Sequence, residues 1–132
     1  MFVLFDFANT NQQRVKAESI RVPLPALQTD QVYFVKFDNR QLVLMRYSSI
    51  LQQALFPLES VTDAPQYLVA YALGTYLGCP LEVVDEQYLK ESCSSASYDF
   101  AGKPLDNNQN FTALAVPVYN FCHDYSCITL HP

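Results

Sequence analysis

Short runs of apolar residues, each bounded by polar or turn-forming positions, divide the chain into predicted elements. Residues 31–37 (QVYFVKF) and 41–47 (QLVLMRY) are rich in β-branched and aromatic residues, a composition typical of strands. The polar residues Asp38, Asn39 and Arg40 separate the two runs, so the pattern predicts an antiparallel hairpin. Apolar residues occupy both faces of these strands, which predicts a hairpin covered on both sides or exposed on one side to a partner.

Strands are also predicted towards both ends of the chain. Residues 2–7 (FVLFDF) form an apolar run that indicates a buried strand. Residues 112–121 and 126–130 are two apolar runs separated by a polar turn, which predicts a second hairpin. Pro117 lacks a backbone N–H and favours an edge position or a bulge in the first of these strands.

Three segments between the strand blocks carry helix signals. Residues 48–56 begin at serines that can cap a helix and end before a proline. Residues 63–77 have Pro65 in the first turn, the stop residue Gly78 after the last, and apolar residues at helical spacing. Residues 81–91 fit a third helix, although LEVV alone also fits a strand.

The order of these elements predicts the fold class. Helices that are grouped between blocks of strands are typical of α+β proteins, not of alternating βαβ units. A chain of 132 residues is long enough to bury a core, and no linker or internal repeat divides it. We therefore expect one domain over residues 1–132, with a largely antiparallel sheet and two or three helices packed against it.

Composition and charge narrow the classes of function. The chain has a net charge of −5 and only eight Lys and Arg residues, so nucleic-acid binding is not predicted. No apolar run reaches the roughly 18 residues of a membrane helix, and no basic segment precedes an apolar one as in a secretion signal. The expected location is the cytoplasm, or the host cytoplasm if the source is a virus.

The four cysteines, Cys79, Cys93, Cys122 and Cys127, are the first candidates for chemistry. In a cytoplasmic protein with a core of this size, free thiols are expected, and a bridge between Cys122 and Cys127 is the alternative. Cys122, Cys127 and His131 are weak candidates for a zinc site, because a second tight pair of ligands is missing. No cofactor is predicted.

A catalytic role finds little support in the sequence. Cys122, His123 and Asp124 look like a triad, but neighbouring residues of a strand point to opposite faces and cannot act together. The three glycines form neither a phosphate-binding loop nor a dinucleotide fingerprint. No catalytic residue is predicted.

An interaction module is the function that the sequence favours. Residues 51–132 carry two basic and nine acidic side chains, and an acidic surface suits a basic protein partner. We therefore expect a protein that binds and masks a heterologous partner, as inhibitor, immunity or anti-defence proteins do. The predicted partner site combines aromatic area with negative charge at Glu82, Asp85, Glu86, Tyr88, Tyr98 and Asp99.

Two other classes of function stay open at this point. A metal- or thiol-dependent enzyme would use the C-terminal cluster of cysteines and histidines. A structural subunit would self-associate, for example as a homodimer, through an uncovered face of the central hairpin.

Overall fold

The computed structural model of the chain describes residues 19–59, 63–105 and 110–131, together with the backbone of residues 2–6. One α-helix, α1 (Ser49–Leu55), and one short 3-10 helix (Leu24–Ala26) lie within that part, and neither is long and apolar enough to cross a membrane. The strands in the same part are β1 (Phe2–Asp6), β2 (Ile20–Pro23), β3 (Val32–Phe37), β4 (Arg40–Arg46), β5 (Tyr67–Tyr71), β6 (Leu81–Val84), β7 (Tyr88–Glu91), β8 (Ser97–Tyr98), β9 (Tyr119–Phe121) and β10 (Cys127–Leu130).

These strands form three small sheets. The central sheet has the order β1-β3-β4-β5, and the two others have the orders β2-β10-β9 and β6-β7-β8. The pairs are antiparallel except β1 with β3, which is parallel. The fold is therefore mostly β, and the prediction of an α+β fold with two or three helices is wrong.

The central hairpin lies where the sequence predicts it. β3 and β4 pair from Val32 opposite Met45 to Phe37 opposite Arg40. The two connecting residues, Asp38 and Asn39, have φ angles of 57° and 61°. This left-handed backbone is that of a type I′ turn, which Asn and Asp tolerate better than most residues.

Both faces of the central sheet are covered. On one face, Phe34 belongs to a buried cluster that includes Leu89 of β7. On the other face, Val35 belongs to a second buried cluster that includes Ile128 of β10. The prediction of a hairpin covered on both sides is confirmed.

The segment predicted as a helix at 63–77 contains strand β5 instead. β5 pairs with β4 along its whole length. Leu68, Val69 and Ala70 are all buried, because alternate side chains of this strand enter the two different clusters. A strand that is buried on both faces has no clear two-residue period, so its apolar spacing resembles that of a helix, and the helix prediction is wrong.

The segment predicted as a helix at 81–91 is the hairpin of β6 and β7. Asp85 and Glu86 form its turn with φ angles of 52° and 58°, and Gln87 N donates a hydrogen bond to Val84 O at 2.9 Å. Acidic residues are less usual at such positions than Asn or Gly. The turn is therefore poorly marked in the sequence, and the helix prediction was wrong.

Of the remaining predicted helices and strands, some are confirmed in full and others only in part. The helix predicted at 48–56 is present as α1, and Ser48 Oγ caps it by accepting a hydrogen bond from Leu51 N at 3.2 Å. The strand predicted at 112–121 is present only at β9, and residues 111–118 belong to no strand. Residue 7 of the strand predicted at 2–7 lies outside the described residues.

All four cysteines form disulfides, Cys79 with Cys93 and Cys122 with Cys127. Each bond joins residues that stand opposite one another across a hairpin, since the β6–β7 register brings 79 to 93 and the β9–β10 register brings 122 to 127. The prediction of free thiols is wrong. Because residues 81–91 are predicted as a helix, the sequence does not predict the strand register that places Cys79 beside Cys93.

Candidate functional site

An open groove with a volume of about 480 Å³ lies between the β9–β10 hairpin and the segment that leads into β5. We call it the aromatic groove. Its lining contains no charged residue and is rich in aromatic rings, and it consists of Ala64, Pro65, Gln66, Tyr67, Tyr119, Phe121 and Tyr125.

The ring of Phe121 contacts three other rings along this groove. The ring centroid of Phe121 lies 5.9 Å from that of Tyr67, 6.0 Å from that of Tyr119 and 5.6 Å from that of Tyr125. Aromatic pairs attract at these separations. Phe121 is 40% exposed and Tyr125 is 71% exposed. The aromatic groove thus offers apolar area, ring faces and phenolic hydroxyls to a ligand.

The β9–β10 hairpin forms one wall of the aromatic groove. Tyr119 and Phe121 are two positions apart on β9, so both side chains point to the same face. The Cys122–Cys127 disulfide closes the turn of the hairpin, and Tyr125 N donates a hydrogen bond to Cys122 O at 2.9 Å. This wall is therefore held in place before a ligand binds.

The backbone of Tyr125 is strained. Its φ angle of 58° lies in the left-handed region, which costs a residue other than glycine about 1–2 kcal/mol. Because the ring is mostly exposed, its burial offsets little of that cost in free energy. An exposed ring on a strained backbone is more typical of a binding residue than of a packing residue.

The opposite wall, residues 64–67, is held by a buried polar side chain. Gln52 of α1 is buried, and its amide nitrogen donates hydrogen bonds to Ala64 O at 3.1 Å and to Pro65 O at 2.9 Å. Tyr47 N donates a further hydrogen bond to Gln66 O at 3.0 Å. A buried amide whose donors are both used in this way fixes the position of the wall.

Three charged residues stand next to lining residues, two in the sequence and one in the sheet register. Asp63 and Asp124 are sequence neighbours of lining residues. Hydrogen bonds from the side chain and the backbone of Ser126 hold the pKa of Asp124 below its ordinary value, so this carboxylate is ionised at neutral pH. Arg46 stands opposite Tyr67 in the β4–β5 register and adds one positive charge.

Four of the six predicted site residues lie on the β6–β7 hairpin. Glu82 is exposed on β6, and its carboxylate lies 3.6 Å from Lys90 Nζ. Asp85 and Glu86 are exposed at the turn, and Tyr88 is half-buried. This hairpin covers the face of the central sheet opposite to that of β10. The structure therefore does not bring these residues to the aromatic groove.

The other two predicted site residues have structural roles. Tyr98 is fully buried, and its hydroxyl lies 2.6 Å from Thr75 N and 2.9 Å from Thr75 Oγ1. Asp99 Oδ1 accepts hydrogen bonds from Ala101 N at 2.8 Å and Lys103 N at 3.0 Å, which shape a turn. Tyr98 cannot contact a partner in this conformation. A partner site at the four residues of the β6–β7 hairpin stays a prediction.

A buried carboxylate, Glu91, also holds a loop. It accepts hydrogen bonds from the backbone N–H groups of Tyr76, Leu77 and Gly78 and from the hydroxyl of Ser94. Burial raises the pKa of Glu91, but the hydrogen bond from Ser94 and those from the backbone outweigh it and hold the pKa below its ordinary value of 4.5. A carboxylate saturated with donors in this way stabilises structure and is unsuited to proton transfer.

The predicted zinc ligands do not form a site. The sulfur atoms of Cys122 and Cys127 are bonded to each other. His131 Nδ1 lies 3.0 Å from Ser19 Oγ, and its Nε2 lies 2.9 Å from Asn120 Oδ1. Within the part of the chain that the structure describes, no group of three or more His, Cys, Asp or Glu residues is placed to hold a metal ion.

Sequence reasoning missed the aromatic groove. It predicted the C-terminal hairpin but did not single out Tyr119 and Phe121, whose alternation with the exposed Asn120 was the available signal. No signal pointed to residues 64–67, because their place depends on β5, which was predicted as a helix. The chain matches no family model and is similar to no curated protein.

Proposed function

We propose that this protein is a small acidic interaction module that binds a partner protein in the aromatic groove and masks the surface it covers. The observation that carries the proposal is a set of exposed rings on walls that are already fixed, one by a disulfide and one by Gln52. Aromatic anchors dominate the binding energy of many interfaces, and fixed walls lower the entropy lost on binding. Inhibitor, immunity and anti-defence proteins act by such masking.

The charge of the chain supports a partner with a basic surface. The net charge is −5, and Asp63 and Asp124 are sequence neighbours of residues that line the aromatic groove. The exposed carboxylates of Asp85 and Glu86 form a second acidic region on the other side of the central sheet. Such charges speed the encounter with a basic protein and disfavour acidic ones.

The disulfides support a different compartment from the cytoplasm that the sequence predicted. Disulfides persist in oxidising compartments and are rare in the cytosol. We therefore propose that the protein acts in an oxidising compartment. Alkylation of free thiols during extraction from the source, followed by intact mass measurement, tests this proposal, and four alkylated cysteines would refute it.

The function is tested by capture of partners with matched variants of the purified protein. We expect a basic protein to be captured by the native chain and by Tyr76→Ala, an exposed aromatic residue outside the aromatic groove. The double variant Phe121→Ala/Tyr125→Ala should lose that protein, because both rings are removed from the groove. Quantitative mass spectrometry of the captured proteins gives the ratio.

A second pair of variants separates the two acidic regions. Asp85→Asn together with Glu86→Asn removes both charges and keeps residues that tolerate a positive φ. If this variant loses the partner and the groove variant keeps it, the site lies on the β6–β7 hairpin and the groove proposal is wrong. A thiol-dependent enzyme would have no free thiol here, because all four cysteines of the chain are bonded in disulfides.

A further inference from the structure

We infer that the partner enters the aromatic groove as an extended segment that carries Arg or Lys and adds as a strand to the outer edge of β9. This inference rests on the proposed function and specifies how the partner binds. Three features of the described residues carry it, namely a strand edge without a partner strand, aromatic rings beside that edge, and the net negative charge of the chain.

The outer edge of β9 carries no partner strand in the part of the chain that the structure describes. β9 is the last strand of its sheet, and no other strand among the described residues pairs with it. Val118 and Cys122 form backbone hydrogen bonds towards β10, at 3.0 Å and 2.9 Å. Because antiparallel strands bond through alternate residues, Tyr119 and Phe121 present their N–H and C=O groups to the other side.

The same two residues line the aromatic groove. Tyr119 and Phe121 thus offer backbone hydrogen-bonding groups at the edge and aromatic rings beside it. An extended peptide that pairs with a sheet edge gains affinity from the backbone bonds and specificity from every second side chain. Alternate residues of the bound segment would therefore lie against the rings.

Two rings outside the aromatic groove carry a cation. Arg40 lies over the ring of Tyr71 at 5.1 Å, and Lys103 lies over that of Phe56 at 5.6 Å. Among the described residues, no such cation lies over the four rings of the groove, and the nearest positive charge in the sheet register is that of Arg46, opposite Tyr67. Ring faces and the net charge of −5 both attract a positive charge, so an Arg or Lys side chain of the partner fits this place.

The inference is tested with a phage-displayed library of random twelve-residue peptides, selected on the native, oxidised protein. We expect the selected peptides to carry Arg or Lys at alternate positions among β-forming residues. The tightest one is then synthesised, and its affinity is measured by isothermal titration calorimetry. Phe121→Ala should weaken it by more than about tenfold, and Tyr76→Ala should leave it unchanged.

Backbone N-methylation of this peptide tests the strand pairing. A methyl group on every second nitrogen that faces β9 should weaken binding roughly threefold to tenfold per position, and methylation of the intervening nitrogens should have little effect. Replacement of the peptide's Arg or Lys by norleucine should weaken binding by a similar factor.

The possible failures are distinguishable. If Phe121→Ala weakens the peptide but N-methylation shows no period of two, the strand pairing is refuted and the groove keeps its proposed function. If no peptide is selected, the strand pairing is refuted; if the groove variant also captures the partner as the native chain does, the proposed function is refuted as well. If ultracentrifugation shows a native dimer that Phe121→Ala dissociates, the edge pairs with a second copy and the inferred heterologous partner is wrong.

Discussion

Two hairpins of this protein, β6–β7 and β9–β10, lie on opposite faces of the central sheet and are each held by a disulfide, yet they expose different chemistry. In β6–β7 the disulfide lies at the open end, and the turn presents the carboxylates of Asp85 and Glu86. In β9–β10 the disulfide encloses the turn, which presents the ring of Tyr125.

The two hairpins differ in the role of the residue that each carries. One residue stabilises the fold, and the other is exposed for binding. The open end of β6–β7 carries Glu91, which is fully buried and holds a neighbouring loop through its hydrogen bonds. The turn of β9–β10 carries Tyr125, whose ring is mostly exposed on a strained backbone. Changes near Glu91 should therefore affect folding, and changes near Tyr125 should affect binding.

The largest loss of stability is expected from Glu91→Ala, on the β6–β7 hairpin. Removal of the carboxylate leaves the N–H groups of Tyr76, Leu77 and Gly78 without their acceptor, and we expect the free energy of unfolding to fall by about 3–4 kcal/mol. Glu82→Ala, on an exposed position of the same hairpin, should cost less than about 0.5 kcal/mol. Urea denaturation at pH 7 measures both, and equal losses would contradict this account of Glu91.

A double-mutant cycle sharpens this prediction. A Cβ at Gly74 would overlap the side chain of Glu91, so Gly74→Ala should cost about 2–3 kcal/mol in the native chain. In the Glu91→Ala background the same change should cost much less, because the obstructing side chain is gone. Additive losses would show that Gly74 is needed for another reason.

Removal of the two disulfides, one at a time, should have different effects on stability and on binding. The Cys79–Cys93 and Cys122–Cys127 bonds span 14 and 5 positions, so loop entropy predicts losses of about 3 and about 2 kcal/mol for the paired alanine variants. Only loss of the second bond should also weaken binding in the aromatic groove. Thermal unfolding and the titration described above measure the two effects, and weaker binding after loss of the first bond would contradict the separation.

The stability of β6–β7 should also depend on pH. The pKa of Glu91 is lower in the folded chain than its ordinary value of 4.5, so its stabilisation is complete above that value and is lost as the pH falls through the folded pKa. We therefore expect the native chain and Glu91→Gln to converge in stability in acid. Urea denaturation from pH 7 to pH 3 checks this, and a gap that stays constant would disprove the assignment.

The smallest effects are expected from the turns themselves. Glu86→Gly and Tyr125→Gly each replace a residue at positive φ, and each should raise the free energy of unfolding by about 0.5–1 kcal/mol. Tyr125→Gly should lose binding in the aromatic groove, whereas Glu86→Gly should keep it. A Tyr125→Gly variant that is less stable than the native chain would show that the ring serves packing.

Local patterns were sufficient for several elements of this fold. The paired apolar runs around Asp38 and Asn39 predicted the β3–β4 hairpin, and their two apolar faces predicted cover on both sides. Ser48 marked the start of α1. In each case residues close in the sequence determine the outcome, through turn geometry, capping or strand composition.

Only the tertiary structure decides two kinds of feature. These are the elements whose side chains enter two cores, and the groove that depends on those elements. β5 has no clear alternation because two buried clusters cover its two faces. The β6–β7 register, which pairs Cys79 with Cys93, becomes visible only once the turn at Asp85 and Glu86 is known. The aromatic groove joins residues 64–67 to residues 119–125, which are distant in the sequence, so no local pattern could predict it.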